Sequence, residues 1–112
     1  MKTLLLLLAV ALVGCSSQCG NTVKQEAASP DGKHIATAFI RNCGATTAFS
    51  PQVYLRYVTE KKVGDTGNVF IGNHSDAIRI EWESPTHLVI HSDCEVVYLV
   101  SQFYGISIEH RR

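Results

Sequence analysis

The chain of 112 residues has no excess of charge of either sign, since ten basic and ten acidic side chains give a formal net charge of zero. Its only adjacent basic pairs are Lys61-Lys62 and Arg111-Arg112. A protein that binds DNA or RNA needs a basic stripe to neutralise the phosphates. The composition therefore argues against a nucleic-acid partner.

Long apolar runs, helical periodicity and internal repeats are also missing. The longest apolar run, residues 3–13, is shorter than the roughly 20 residues needed by a membrane-spanning helix. No window repeats its apolar residues with the 3.6-residue period of an amphipathic helix. A chain of this length supports one modest core and no second domain. We therefore expect a single domain built without helices.

The N-terminus contains the pattern of an exported lipoprotein. Lys2 followed by the apolar run predicts a signal peptide over residues 1–14. Leu-Val-Gly-Cys at 12–15 resembles the bacterial lipobox, so we expect cleavage before Cys15, acylation of its thiol and anchoring in a bilayer. The alternative is an ordinary secretory signal that leaves Cys15 as the first mature residue. Cys15 is followed by Ser16 and Ser17, and not by the aspartate that, in lipoproteins of enteric bacteria, retains the protein at the inner membrane. The two serines favour the outer membrane, facing the periplasm, in a Gram-negative host.

After a short tether at 15–22, the sequence predicts an all-β domain at 23–112. Seven segments alternate apolar and polar residues or are continuously apolar, as strands are. They are 34–41, 52–59, 67–71, 76–83, 87–91, 96–100 and 104–110. Turn signals such as Ser-Pro-Asp-Gly at 29–32 separate them. We expect about seven or eight short strands in an antiparallel meander, curled sheet or small sandwich.

Two of these segments make specific predictions about the core. Along 76–83, Ile78, Ile80 and Trp82 share one face and the two glutamates share the other, so Trp82 should lie in the core. The continuous apolar run at 96–100 is suited to a central strand, which is covered on both faces.

Several motifs occur in an order that is shared with a known group of proteins. Ser-Pro-Asp-Gly-Lys at 29–33 is followed by Cys-Gly-Ala-Thr-Thr at 43–47, Gly-Asn-Val-Phe at 67–70 and an Ile-x-Trp strand at 80–82. This order resembles a family of small, uncharacterised bacterial envelope proteins, often lipoproteins. The resemblance covers most of residues 19–109. It implies a shared fold and no activity, since no function is established for that family.

Three groups of residues could carry chemistry, and each has a more ordinary explanation. Cys43 could be a thiol nucleophile, but in a small exported domain a disulfide is the usual state of such a cysteine. His87 and His91 have a metal-chelating spacing on a helix, whereas on a strand they lie about 13 Å apart and cannot share one metal. Glu81 and Glu83 have nearly the separation of a glycosidase acid pair, yet alternating acids are typical of a solvated sheet face. We therefore expect no catalytic site, metal or cofactor.

A small polar loop after Cys43 is where we expect a partner contact. It contains Thr46, Thr47 and Ser50, and loops on rigid scaffolds often carry binding groups. These observations favour a non-enzymatic binding or structural module, anchored to the membrane, whose partner would be an envelope protein. The alternative is a small envelope hydrolase that uses Cys43 or the glutamates of the 76–83 segment.

Acylation of Cys15 would leave an odd number of cysteines, Cys19, Cys43 and Cys94, so one of them stays unpaired or pairs outside the chain. The chain between Cys19 and Cys43 follows a hairpin-like path that could bring the two together, while a Cys43–Cys94 bond would close a longer loop. The resemblance favours one of these pairings, because the family's Cys-Gly-Asn element matches 19–21 and occurs together with Cys-Gly-Ala-Thr-Thr. It implies a Cys19–Cys43 disulfide.

Overall fold

The computed structural model describes residues 19–44, 47–61 and 63–112, which form nine β-strands. In chain order they are β1 (Gly20–Ala28), β2 (His34–Asn42), β3 (Ser50–Tyr57), β4 (Phe70–Asn73), β5 (Arg79–Ser84), β6 (His87–His91), β7 (Glu95–Leu99), β8 (Gln102–Phe103) and β9 (Ile106–Arg111). The predicted all-β class is confirmed, with nine strands instead of seven or eight. Within these described ranges, no helix has the length and apolar character needed to cross a membrane.

The strands form two sheets that pack together as a small sandwich, one of the three expected architectures. Sheet A has the order β1-β2-β3-β4-β7, and sheet B has the order β5-β6-β9-β8. Among the described strands, β6 and β9 form a parallel pair, and the other neighbours are antiparallel. The parallel pair arises because the chain leaves β6 for sheet A, forms β7 there and returns to sheet B.

One core lies between the sheets and is formed by alternate residues of the strands on both sides. Its strand residues are Ala36, Ala38, Val53, Leu55 and Phe70 from sheet A, and Ile80, Leu88, Ile90, Ile106 and Ile108 from sheet B. Full burial of a large aliphatic or aromatic side chain contributes about 1.5–3 kcal/mol, so this layer is the main source of stability.

The β1–β2 hairpin forms at the predicted Ser-Pro-Asp-Gly turn. Ser29 N donates to His34 O (2.9 Å), and Gly32 N donates to Ser29 O (2.8 Å). Gly32 has a φ of 71°, a left-handed conformation that glycine adopts without a steric penalty. The turn leads to a register in which Gly20 lies opposite Asn42. It therefore brings the two ends of the hairpin side by side.

Two side chains, those of Gln25 and Trp82, join the free edges of the two sheets at the β1 side of the sandwich. β1 has a bulge between Val23 and Gln25. Beyond it, Gln25 Nε2 donates to Ile80 O (2.9 Å) and Gln25 Oε1 accepts from Ile80 N (2.8 Å). The carboxamide thus makes the two hydrogen bonds to β5 that the backbone of a neighbouring strand would otherwise make. Trp82 Nε1 donates to Ala27 O (3.1 Å) on the same side.

Trp82 lies on the predicted face of β5. Like Ile78, it packs against the core while staying partly exposed, whereas Ile80 is 2% exposed. The two glutamates of β5 lie on the opposite face, as their alternation predicts. The prediction of the face is therefore confirmed, and the burial of the indole is only partial.

The apolar run at 96–100 does not form the central strand expected from it. β7 lies at the edge of sheet A, pairs with β4 and leaves all five of its residues exposed. The expectation is wrong because a run that is apolar on both faces describes a covered central strand and an uncovered edge strand equally well.

The last predicted strand, 104–110, is wrong at its start. Tyr104 and Gly105 form a two-residue turn between β8 and β9, with φ values of 53° and 77°. Positive φ at both positions is the geometry of a type I′ hairpin turn, for which Asn-Gly is the preferred sequence. Tyrosine is common in strands, so composition alone favours a strand at this position.

The predicted strand at 67–71 is shifted toward the C-terminus, since β4 begins at Phe70. The reason is a side chain that replaces strand pairing. Asn68 Oδ1 accepts from Leu55 N (2.7 Å), and Asn68 Nδ2 donates to Leu55 O (2.8 Å). The side-chain amide of Asn68 thus makes the hydrogen bonds to β3 that the backbone of a longer β4 would make.

Candidate functional site

The predicted disulfide cysteines lie side by side, just before β1 and just after β2. Cys19 and Cys43 form a disulfide with Cα atoms 3.9 Å apart, which confirms the pairing implied by the resemblance. Cys94 is a buried, free cysteine. β1 begins within the expected 15–22 tether, so the end of that segment belongs to sheet A. Cys15, where lipidation is predicted, lies outside the described residues.

The groups proposed for a hydrolase are engaged in other interactions. Cys43 in its disulfide has no thiol for nucleophilic attack, so the hydrolase alternative loses this residue. Glu81 Oε1 lies 3.1 Å from His91 Nε2. Glu83 Oε2 lies 3.1 Å from Arg111 Nη1. Glu83 thus forms part of an ion-pair network with Arg111 on the outer face of sheet B, and Glu81 has separate partners there.

The polar loop predicted to contact a partner lies at the same end of the sandwich as the disulfide. Thr47 Oγ1 donates to Gly44 O (2.9 Å), and Ser50 Oγ donates to Gly72 O (2.6 Å). Thr46 lies outside the described residues. The two described hydroxyls therefore satisfy nearby backbone carbonyl groups.

The two histidines on β6 contact different carboxylates. His87 Nε2 lies 2.8 Å from Glu109 Oε1 and 3.6 Å from Glu83 Oε1. His91 Nε2 lies 3.1 Å from Glu81 Oε1. The structure therefore places the two imidazoles against different carboxylates and does not bring them together.

One group among the described residues has donor atoms close enough to contact a single cation. The donor atoms of Glu83, His87 and Glu109 lie within 4.8 Å of one another. Arg111 already binds both carboxylates, with Nε 2.7 Å from Glu109 Oε2. Hydrogen bonds from Arg111, and then from His87, lower the pKa of Glu109 to about 2, and the two glutamates raise the pKa of Arg111. Because a bound guanidinium repels a cation, the arrangement is that of an ion-pair network.

The opposite end of the sandwich carries a cluster of aromatic rings. His34 and Tyr57 are cross-strand partners at the ends of β2 and β3, and their ring centroids are 4.5 Å apart. The ring of Tyr104, from the β8–β9 turn, lies 4.7 Å from that of Tyr57. Phe103 lies 4.3 Å from Tyr104. We call these four residues the aromatic end. It is one strand length, about 27 Å, from the disulfide.

The aromatic end combines exposed rings with unusual local structure. Tyr57 and Tyr104 are 40% and 51% exposed. The φ of 53° at Tyr104 is a left-handed conformation that costs most residues about 1–2 kcal/mol. His34 lies beneath them at 7% exposure, and neither of its ring nitrogens has a hydrogen-bond partner among the described residues. Backbone strain of this kind clusters at functional sites.

Sequence reasoning did not find the aromatic end, because three distant segments contribute to it. Its residues are brought together by the β2–β3 register and by the packing of the β8–β9 turn of sheet B. The available signal was Gly105, an isolated glycine in a strand-like sequence, which points to a turn or a close backbone approach.

Comparison with known proteins identifies a family. A family described as "Family of unknown function (DUF5412)" matches residues 5–104, a range that includes the motifs at 29–33, 43–47 and 67–70. No curated protein and no solved structure matches the chain. The expectation of an uncharacterised family is confirmed by this match. The chain therefore belongs to the family of unknown function DUF5412.

Proposed function

We propose that the protein is a lipid-anchored lipoprotein of the bacterial envelope and that its sandwich is a non-enzymatic binding module. The observation that carries the proposal is the aromatic end, where two half-exposed tyrosines are held at the end of the sandwich opposite the Cys19–Cys43 disulfide, next to which the proposed anchor would attach. A partner bound there would not compete with the lipid anchor for space. In a Gram-negative host, the module would face the periplasm from the outer membrane.

The proposed anchor is supported by the sequence and by the position of the disulfide. The lipobox at 12–15 would make Cys15 the acylated N-terminus. The Cys19–Cys43 bond joins the chain to sheet A four residues later, a reach of at most about 14 Å. Two or three acyl chains at Cys15 would hold the domain stably, since each buried methylene group contributes about 0.8 kcal/mol.

The proposed binding surface is supported by the energetics of Tyr104. Its left-handed conformation costs about 1–2 kcal/mol, much of which an asparagine would avoid. Its ring is 51% exposed, so partial burial returns only about 1–2 kcal/mol. Stability alone therefore gives little reason for a tyrosine here. Tyrosine is enriched at protein interfaces, where its apolar body and polar tip both find contacts.

The test is a variant that separates binding from folding. Tyr104→Asn keeps the type I′ turn while removing the ring, so we expect its free energy of unfolding to stay within about 1 kcal/mol of the wild-type value. Tagged full-length protein is cross-linked in cells, purified and compared with Tyr104→Asn and Thr47→Ala. We expect Tyr104→Asn to lose the envelope partners and Thr47→Ala, at the anchored end, to keep them.

Two results would contradict the proposed surface. Loss of the partners in Thr47→Ala alone would move the contact to the polar loop at 46–50. Destabilisation of Tyr104→Asn by more than about 2 kcal/mol would mean that the ring serves the fold. The hydrolase alternative, which now rests on the acid pair, predicts instead turnover of an envelope substrate that Glu81→Gln abolishes.

A further inference from the structure

The loop between β2 and β3, residues 43–49, presents an uncharged surface at one end of the sandwich. It contains no acidic or basic side chain. Thr47 and Ala48 are exposed, and Phe49 is 45% exposed. A single exposed apolar side chain is normal on a protein surface, but this one lies in a segment without charge. The loop therefore offers an apolar contact without ions of its own, unlike the outer face of sheet B, which carries ion pairs.

Several polar groups of this loop are hydrogen-bonded within the protein. Thr47 Oγ1 and Thr47 N both donate to Gly44 O, at 2.9 and 3.2 Å. Gly44 N donates to Asn42 Oδ1 (3.1 Å), and Phe49 O accepts from Ser75 N (3.4 Å). Moving a polar group out of water costs much less when its hydrogen bond is already made inside the protein. These groups therefore oppose entry of the loop into a less polar medium only weakly.

The loop lies at the end of the sandwich where the chain enters sheet A. The ladder that pairs Arg41 with Ser50 places the next residue, Phe49, beside Asn42. Asn42 lies opposite Gly20, the first residue of β1. Phe49 and Gly20 are thus at the same level of sheet A, two strand spacings or about 10 Å apart. The exposed ring is therefore close to the point where the domain would be tethered.

We propose that this loop rests on the lipid bilayer and that Phe49 enters the boundary between headgroups and acyl chains. The inference rests on the proposed lipid anchor at Cys15. The chain from Cys15 to Cys19 spans at most about 14 Å, so an anchored domain keeps the disulfide end at the membrane. Aromatic side chains are favoured at this boundary. A bound protein would find few free hydrogen-bonding groups on the loop, whereas a bilayer surface requires none.

The contact also defines how the sandwich stands on the membrane. With the loop on the bilayer, the strands of sheet A rise from the surface and the aromatic end points away from it. The aromatic end is then free to bind its partner. Because the loop carries no ion, its contact with the bilayer depends on apolar burial and not on the charge of the lipids.

Quenching of tryptophan by brominated lipids tests the contact in the full-length protein. Trp82→Phe removes the single native tryptophan, and Phe49→Trp and Val58→Trp are each made in that background. The two positions are matched, because they flank β3 at opposite ends and are 45% and 47% exposed. They lie about 30 Å apart along the strand. In phosphatidylcholine vesicles with brominated acyl chains, we expect at least fivefold more quenching of the lipidated protein at position 49 than at position 58.

Two further measurements identify what makes the contact. Thr47→Asp places a charge in the loop and should reduce quenching of the tryptophan at position 49 at least twofold. Raising the ionic strength from about 0.1 M to about 1 M shortens the Debye length from about 10 Å to about 3 Å and should leave that quenching unchanged. Circular dichroism melting checks that each variant remains folded.

The outcomes separate this inference from the proposed anchor. Equal quenching at positions 49 and 58 in protein that is bound to vesicles would overturn the inference and leave the anchor standing. Quenching that disappears at high ionic strength would assign the contact to charged side chains and would also overturn it. A protein that carries no acyl group and does not float with the vesicles would contradict the anchor and, with it, the inference.

Discussion

Gln25 offers the sharpest test of how the two sheets are held together. Its carboxamide makes two hydrogen bonds to the backbone of Ile80, a residue that is only 2% exposed. Gln25→Ala removes both bonds and leaves a shielded N–H and C=O without partners. Net contributions of about 0.5–1.5 kcal/mol per bond, together with the penalty for unsatisfied buried groups, give an expected loss of about 2–4 kcal/mol. That is a large part of the 5–15 kcal/mol by which small domains are usually stable.

The assay is urea unfolding followed by the fluorescence of Trp82, which lies on the same side of the sandwich. Gln25→Glu keeps the acceptor for Ile80 N but turns a carboxylate oxygen toward Ile80 O, so it should be at least as destabilising as Gln25→Ala. Lys24→Ala, at an exposed position beside it, should change stability by less than about 0.5 kcal/mol. If Gln25→Ala costs no more than Lys24→Ala, the side chain does not join the sheets.

Three further predictions concern packing, ion pairing and the indole. A Cβ at Gly67 would lie 2.8 Å from a backbone oxygen of β3, so Gly67→Ala should lower the free energy of unfolding by about 1–3 kcal/mol in the same urea titration. A Cβ at Gly20 would meet nothing within 4 Å, so Gly20→Ala should be nearly neutral. The pKa of Glu109 is lowered from 4.5 to about 2, chiefly by Arg111, so its ion pairs stabilise the fold above pH 4.5 and are lost as the pH falls toward 2. Thermal melts over that range should show a smaller acid-induced fall in Tm for Glu109→Gln than for the wild type; an unchanged fall would contradict the ion pairing. Trp82→Phe removes one indole hydrogen bond and should cost about 1 kcal/mol, and a neutral result by urea unfolding would contradict that bond.

Features set by local sequence could be predicted well. The Ser-Pro-Asp-Gly turn at 29–32 specifies the β1–β2 hairpin through backbone geometry. The hairpin brings Cys19 and Cys43 together, although the choice of that pairing over Cys43–Cys94 rests on the family resemblance. The alternation along β5 places Trp82 on the core side because a strand has a period of two. These inferences need only residues that are close in the chain.

Features that depend on distant segments could not be predicted. The apolar run in β7 does not show whether another layer of the fold covers these residues. None of the described layers covers them. Gln25 and Ile80 meet across 55 positions of the chain, so no local pattern reveals their hydrogen bonds. The aromatic end likewise requires the position of β2 and β3 relative to the β8–β9 turn.

The central claim is that this sandwich is a lipid-anchored module, and the mass of its mature N-terminus tests that claim most directly. The protein is extracted from membranes with detergent, and its N-terminal peptide is analysed by mass spectrometry. The account predicts a chain that begins at Cys15 and carries at least a diacylglyceryl group on sulfur, with Cys15→Ser abolishing the modification. An unmodified N-terminus on a protein released without detergent would contradict it.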